Sequence, residues 1–315
     1  MPPQNPTHHI VVLGAGITSL QTSLTLLAAG YGVTILARDF PGDDENIDDV
    51  GGYASPWPAP APSTATDIWW SPHVTSFVPL PTSALPANTG IASGVAFTTV
   101  TIDVPIHLAS LLSRFRSLGG KVIRATLPTH DGFFAALNLA AELVQDDVYA
   151  FINATGLGAR ALVPDAKMYP TRGQTVLVRG EASKVSTFEG IGLIRYVIPR
   201  KGSGISVLGG TKQAENWDTK PDEQTTREIL EGCKALAPEL LGADGEFEVL
   251  KVQVGLRPSR EGGARVEREV VGERWKVLHA YGHSGAGYQN SVGVARKLLR
   301  LVGEFEEDRA PAAKL

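Results

Sequence analysis

The sequence is short of the residues that would make several function classes plausible. One cysteine in 315 residues, Cys233, excludes an internal disulfide framework and any cysteine-based metal site. No apolar run is long enough to span a bilayer, and the Pro- and His-rich N-terminus does not read as a signal peptide, so no membrane partner is expected. An intracellular location is the expectation. A net charge of −4 offers no basic surface for nucleic acid. What remains, with 43% hydrophobic and 20% charged residues, is an ordinary globular composition for one large domain or two interleaved ones.

The most informative stretch is HHIVVLGAGITSLQTSLTLLAAGYGVTILARD, residues 8–39. A β-branched run from Ile10 to Leu13 meets Gly14-Ala15-Gly16 directly, and apolar residues then recur at helical spacing through Leu20, Leu24, Leu27 and Ala28. Gly30 and Gly32 end that helix, and Val33 to Leu36 is a second strand. In such a βαβ unit Gly14 permits the tight turn and Gly16 leaves room for a pyrophosphate. The helix N-terminus turns unpaired N–H groups and a positive dipole end toward that anion. Ser19 stands where the fingerprint has its third glycine. The second strand ends Ala37-Arg38-Asp39, an ending that suits either a ribose diol, through Asp39, or a 2′-phosphate, through Arg38.

Further along, an acidic loop at 43–49 leads to Gly51-Gly52, Trp57 and a proline-rich run at 58–62, which favours extended geometry and offers few backbone donors. Residues 63–95, with Trp69, Trp70 and Phe77, show no sustained period. A strand is expected at 95–104, a helix at 105–118 and strands at 121–125 and 148–153. The last of these ends in Ala154-Thr155-Gly156-Leu157-Gly158, small residues that admit either a ligand or a crossing chain. Strands follow at 172–178, 195–200 and 207–212, then a helix at 223–240 and a strand at 252–258. A strand from Val277 runs into Gly282-His283-Ser284-Gly285-Ala286-Gly287-Tyr288 and a final helix, 290–305. That helix start is a second place where an anion, or a ring that becomes anionic on reduction, gains from exposed N–H groups.

Taken in order, LGAGITSL, ILARD, ASPW, INATGLGAR, RGQTVLVR, YVIPR, LGGT with Trp217 beyond it, VGLRPSREGGARVE and HAYGHSGAGYQ resemble the FAD-dependent D-amino-acid oxidases, including the D-aspartate oxidases. The resemblance covers most of the chain and implies an α/β fold: a Rossmann-type FAD-binding domain with an interleaved, sheet-based α+β substrate domain. It places the FAD-binding domain at 1–65, 100–170 and 250–310 and the substrate domain at 66–99 and 171–249. The implied cofactor is FAD. The implied reaction passes a hydride from the substrate Cα to flavin N5, oxygen then giving hydrogen peroxide, and the imino acid hydrolyses to a 2-oxo acid and ammonia.

The resemblance also assigns roles. Gly14, Gly16, Ile17 and Gly156 would meet the FAD backbone, with Asp39 on the ribose and Arg38 beside the adenosine. Gly287, Tyr288 and Gln289 would sit against the flavin pyrimidine ring. Arg257 would grip the substrate α-carboxylate with a planar, bidentate guanidinium, Tyr196 would add a phenol donor, and the Gly285 carbonyl would receive the amine. No general base is required if the amine arrives neutral, so His283 reads as structural. Lys212 takes a place where the neutral-substrate members carry an aromatic residue and D-aspartate oxidases an arginine. It reads either as a partner for a distal carboxylate, favouring D-aspartate or D-glutamate, or as a solvated strand-end lysine.

Two departures accompany the resemblance. Pro58-Ala59-Pro60 follows Trp57 where the family places Ala-Gly-Ala at the flavin edge, and Pro60 has no N–H to give; Gly51-Gly52 replaces hydroxyl residues, and a few tens of residues are missing beyond that loop. The alternatives are therefore a neutral D-amino-acid oxidase and a flavin-poor, non-catalytic relative. A glycine or sarcosine oxidase would not carry the VGLRPSREGGARVE and YGHSGAGYQ pair. The C-terminal Ala313-Lys314-Leu315 is similar to a peroxisomal address, so the import receptor is an expected partner and the peroxisomal matrix the expected location, with the cytoplasm as alternative. Oxygen, a small D-amino acid and a second copy in a homodimer complete the expected partners.

Overall fold

A computed structural model describes residues 8–42, 68, 70–86, 90–190 and 193–307. The Gly51-Gly52 and Trp57-to-Pro60 departures, Trp69 and the Ala313-Lys314-Leu315 tripeptide lie outside the described residues.

In chain order, β1 (His9–Leu13), α1 (Ile17–Ala28) and β2 (Gly32–Ala37) come first, followed by the antiparallel pair β3 (Thr75–Pro79) and β4 (Val95–Thr98). Next come α2 (Val104–Ser117), β5 (Lys121–Arg124), α3 (Gly132–Val144), β6 (Val148–Asn153) and the short α4 (Ala159–Leu162). Then follow β7 (Met168–Arg179), β8 (Ser186–Gly190), β9 (Leu193–Arg200), β10 (Ile205–Gly209) and β11 (Gln213–Ala214). The chain continues with α5 (Glu223–Cys233), β12 (Val249–Arg260), β13 (Arg265–Val271), β14 (Trp275–Tyr281) and α6 (Gly287–Glu307).

Two compact units are formed, one from Met1–Ile47, Pro105–Thr171 and Arg257–Leu315, the other from Asp48–Val104 and Arg172–Leu256. Among the described residues the exchanges fall at 104/105, 171/172 and 256/257, against sequence expectations of 99/100, 170/171 and 249/250; the expected 65/66 boundary lies outside the described residues.

The first unit is built on a sheet of order β13-β14-β6-β1-β2-β5, parallel throughout except for the β13–β14 pair at one edge. Strands buried on both faces must be apolar on both faces, and β1 is. Ile10 and Val12 pack with Leu20, Leu24, Phe115 and Leu298 on one side, while Val11 and Leu13 pack with Leu137, Phe151 and Val277 on the other. The period-2 alternation of β1 therefore sends α1, α2 and α6 to one face of the sheet and α3 to the other.

In the second unit the sheet runs β11-β7-β10-β9-β8, with β12 also paired to β7. Val176, Val178, Val197 and Leu208 meet Ile229 and Cys233 of α5 on one face, and Leu177, Ile198 and Val207 lie together on the other.

Four differences from the sequence pattern have local causes. The strand expected over 95–104 stops at Thr98, because Val104 and Pro105 already open α2, where proline's fixed φ suits a first turn. The helix expected over 223–240 ends at Cys233, and Pro238 opens a separate 3₁₀ turn. β10 ends at Gly209 rather than Lys212, since Gln174 N–H donates to the Thr211 hydroxyl (2.8 Å) instead of to a backbone carbonyl of that segment. The final helix starts at Gly287, three residues before the expected start. Helix α3 and strand β13 are elements that the pattern does not predict.

Candidate functional site

At the C-terminal end of β1 the chain turns through Gly14, whose φ of +101° lies in the left-handed region. Its N–H donates to Leu36 O at 2.9 Å, and a Cβ added there would stand 2.8 Å from Ala154 O. Only glycine fits this contact between the ends of β1 and β6. Ser19, in place of the third fingerprint glycine, is fully buried and points its hydroxyl at the same Ala154 carbonyl, 3.4 Å away. The position thus tolerates a small side chain with a hydrogen to donate.

Gly16 is the N-cap of α1, exposed, with open space where a Cβ would be and no side chain capping the first turn. Those N–H groups face outward without a side-chain acceptor, the condition for holding phosphate. Gly287, the first residue of α6, is backed by Ile17, whose Cγ2 lies 3.9 Å from the position of an added Cβ. Two helix N-termini thus converge, and their positive dipole ends reinforce one another there. Tyr288 and Gln289 follow in the same first turn, half-buried and exposed respectively. At the end of β2, Arg38 Nε donates to Asp39 Oδ2 (2.7 Å), and Arg124 Nη1 donates to Arg38 O (3.0 Å); Arg38 and Asp39 are both exposed.

The turn after β6 is held by a relay absent from the sequence reading. Asn153 and His279 are fully buried and directly opposed on the parallel neighbours β6 and β14. His279 Nε2 lies 2.9 Å from Glu269 Oε2. A carboxylate only accepts, so Nε2 carries the hydrogen and Nδ1 accepts from Asn153 Nδ2 (3.3 Å). That orientation turns Asn153 Oδ1 to the Thr155 N–H (3.3 Å) and hydroxyl (2.7 Å), pinning the entry to Gly156. Beyond Glu269, Arg265 donates to Glu269 Oε2 (2.7 Å), Glu267 Oε1 (2.6 Å) and Tyr281 Oη (3.1 Å). Tyr281 and Arg260 both donate to Asp165 Oδ2, at 2.9 and 2.8 Å. Burial first, then the Arg265 charge, lower the His279 pKa to about 4. The signal for this relay was a histidine in a buried strand diagonal to a glutamate on the next.

Arg257, half-buried on β12, precedes Pro258, whose Cγ lies 3.8 Å from where a Gly156 Cβ would be. Ser259 bridges His283 by backbone, and its hydroxyl donates to Ser284 Oγ (2.9 Å) while meeting Thr171 Oγ1 (2.7 Å). The Arg257 segment, the Gly156 turn and the Gly285 segment are therefore joined within the first unit. Ser284 itself has a φ of +52°, uncommon for a side-chain-bearing residue, and directly precedes Gly285. Burial lowers the His283 pKa, and its Nε2 is buried without a hydrogen-bond partner among the described residues.

Tyr196 and Lys212 belong to the second unit. The Tyr196 ring lies against Gly209 and Gly210, its hydroxyl 2.7 Å from the position of a Gly210 Cβ. Cys233 Sγ lies 3.6 Å from both Tyr196 O and Gly209 O, and burial pushes its thiol up to about 12, which makes it an inert packing group. Lys212 is exposed, as is Trp217 (51%). Among the described residues no helix is long and apolar enough to cross a membrane, and no cluster of three or more His, Cys, Asp or Glu is arranged to hold a metal ion.

Residues 61–301 match the family described as FAD dependent oxidoreductase. The chain is 35% identical over 221 residues to a D-amino-acid oxidase of Fusarium vanettenii, covering 68% of this chain and 60% of that one. It is 34% identical over 221 residues to a D-aspartate oxidase of Talaromyces thermophilus, covering 70% and 57%. Against a D-amino-acid oxidase of Streptomyces coelicolor the identity is 31% over 317 residues, covering 93% of this chain and 96% of that one. The chain thus spans about three fifths of the fungal relatives' length and nearly all of the bacterial one's. Among solved structures, glycine oxidase from Geobacillus kaustophilus shares the fold, with a TM-score of 0.66 at 17% identity over 98% of this chain and 97% of that one.

Two outcomes follow from this geometry. Gly14→Ala should weaken dinucleotide binding roughly tenfold or more, because a Cβ meets both the Ala154 carbonyl and an unfavourable φ; an unchanged dissociation constant in a flavin-fluorescence titration would disprove that contact's importance. As pH falls, the unfolded chain takes up the His279 proton near 6.5 and the folded one only near 4, so stability present above 6.5 is lost across that window. Urea unfolding should show this loss, with His279 contributing roughly 3 kcal/mol, and His279→Gln should flatten the profile. A variant profile as steep as the parent's would mean that His279 ionises freely in the fold.

Proposed function

The chain belongs to the FAD-dependent oxidoreductase family, and from that premise we propose that it oxidises D-amino acids with oxygen and water to a 2-oxo acid, ammonia and hydrogen peroxide. The observation that carries this reading is the joining, within one unit, of a dinucleotide cradle with the Arg257 and Gly285 segments. The cradle fits FAD: Gly14 and Gly16 leave space at the first turn of α1, Asp39 offers a carboxylate for ribose, and the α6 N-terminus offers N–H groups to the electron-rich end of the ring system. FAD, when bound, supplies the two-electron oxidant for the substrate Cα–H bond.

The protein's own residues bind and orient. Arg257, in the first unit, is the residue for the substrate α-carboxylate through two parallel N–H donors, and Tyr196, in the second, is a phenol donor for substrate. The Gly285 carbonyl accepts a hydrogen from the substrate amine, which fixes the Cα–H direction and, for an amine that arrives neutral, requires no proton transfer to the protein. Gly156, Ile17, Arg38, Gly287, Tyr288 and Gln289 hold the cofactor. The first unit acts as the FAD-binding domain and the second as the substrate domain.

The acidic preference rests on Lys212. An exposed ammonium on the segment that follows the Tyr196-covered glycines is suited to a distal carboxylate, which favours D-aspartate and D-glutamate. A neutral-substrate reading is kept by the near-equal identities to relatives named for D-amino acids and for D-aspartate.

Steady-state assays of peroxide release test both assignments. Arg257→Leu should lower kcat/KM for every D-amino acid about a hundredfold, through the lost charge-assisted pair; unchanged turnover would remove Arg257 as the anchor. Lys212→Met should raise KM for D-aspartate about tenfold while leaving D-alanine nearly unaffected, and equal effects on the two substrates would remove the acidic preference.

A further inference from the structure

The RGQ of RGQTVLVR has no part in the roles above, yet it is among the most deeply buried polar groups of the second unit. Arg172 and Gln174 are 2% and 0% exposed, two residues apart on β7 and so on the same face of the strand. Arg172 donates Nη1 to Gln213 Oε1 (2.9 Å), Nε to Asp218 O (2.8 Å), and Nη2 to Lys220 O (2.6 Å) and Gln174 Oε1 (3.0 Å). All four acceptors are neutral oxygens. A permanent cation is buried here with no carboxylate among these acceptors, held by a fork of donors that only arginine supplies.

Gln174 works in both directions. Its Nε2 donates to Asp222 O (2.7 Å) and Thr226 Oγ1 (2.8 Å), and its Oε1 also accepts from Asp222 N (2.9 Å). Its backbone N–H holds Thr211 Oγ1 at 2.8 Å. Another buried guanidinium, Arg195, donates Nη1 to Gly210 O (3.2 Å). The consequence falls on Lys212: the residues on either side, Thr211 and Gln213, are both fastened to β7, while the Lys212 side chain stays exposed. The segment is tied down by the Thr211 and Gln213 side chains and by the backbone of Asp218, Lys220 and Asp222, with Lys212 and Trp217 exposed between them.

We infer that Arg172 and Gln174 are positioning residues for substrate side-chain selection: they fix the 211–222 segment and thereby the place from which Lys212 meets a substrate's distal carboxylate. This deepens the Lys212 reading and rests on it. Neither residue touches substrate; both act through the segment that they hold.

The test uses the FAD-loaded full chain. Gln174→Glu keeps the acceptor for Arg172 but sets a carboxylate oxygen against Asp222 O and Thr226 Oγ1; Thr226→Val, a milder change, removes one acceptor and serves if the first variant folds poorly. Trypsin reads the hold directly, because Lys212–Gln213 is cleavable while Lys220 is protected by Pro221. The variants should be cut at Lys212–Gln213 about tenfold faster, and KM for D-aspartate should rise by a similar factor, with kcat and the D-alanine parameters changed far less. Unchanged cleavage overturns the proposal, as does faster cleavage with an unaltered ratio of D-aspartate to D-alanine KM. Lys212→Met alongside separates the two readings. A preference sensitive to Gln174→Glu but not to Lys212→Met keeps the positioning role and rejects Lys212 as the contact. The reverse pattern keeps Lys212 and rejects the positioning role.

Discussion

The ends of β1 and β6 approach so closely that the Gly14 turn and the Ala154 carbonyl leave no room for a Cβ between them. Much of the first unit depends on this contact. It sets where α1 begins, and hence where its uncapped N–H groups point. It requires the small, hydroxyl-bearing Ser19 on the first turns of α1, and it brings the Gly156 turn beside Pro258, one residue from Arg257. The Arg257 segment and the uncapped start of α1 are thereby built on one sheet end rather than on separate loops.

The two units use buried polar groups in different ways. In the first, a neutral histidine passes its orientation along a chain of hydrogen bonds from Glu269 to Thr155, and a charged wing beyond it couples Arg265, Tyr281, Asp165 and Arg260. Every member has a partner, which is the condition under which a buried polar network rigidifies a fold rather than weakening it. In the second unit a buried guanidinium gathers carbonyls from across a loop. Removing either centre would leave several buried donors or acceptors unmatched at once.

Much of this was legible in the sequence where structure is local. The glycines after Leu13 and the apolar spacing from Leu20 to Ala28 specify strand, turn and helix from neighbouring residues alone, and β6 and the α6 entry follow the same logic. Helix α3 was not legible because its apolar residues run around it: Phe134 and Leu143 both remain 39% exposed, so no narrow stripe marks a buried face. Strand β13, RVEREVV, sets Glu267, Arg268 and Glu269 in a row at a sheet edge, a pattern equally suited to a surface loop. The relay was hidden for another reason, since Asn153 and His279 are 126 residues apart and meet only through the β6–β14 register. Arg172 and Gln174 stood inside a quoted motif, but their partners lie in a loop whose course no local pattern reveals. Arg257 and Gly285 were named from the family likeness, and the structure ties their segments through Ser259 and Ser284.

The fastened 211–222 segment separates two properties that usually compete. What holds it lies beneath, in Arg172 and Gln174, while the exposed tips contribute little to the hold. Substitution at Lys212, Glu215 or Trp217 therefore leaves the scaffold's hydrogen bonds intact, whereas substitution beneath them does not. Single substitutions on such a surface change the charge and shape it presents outward while the fold beneath keeps its stability.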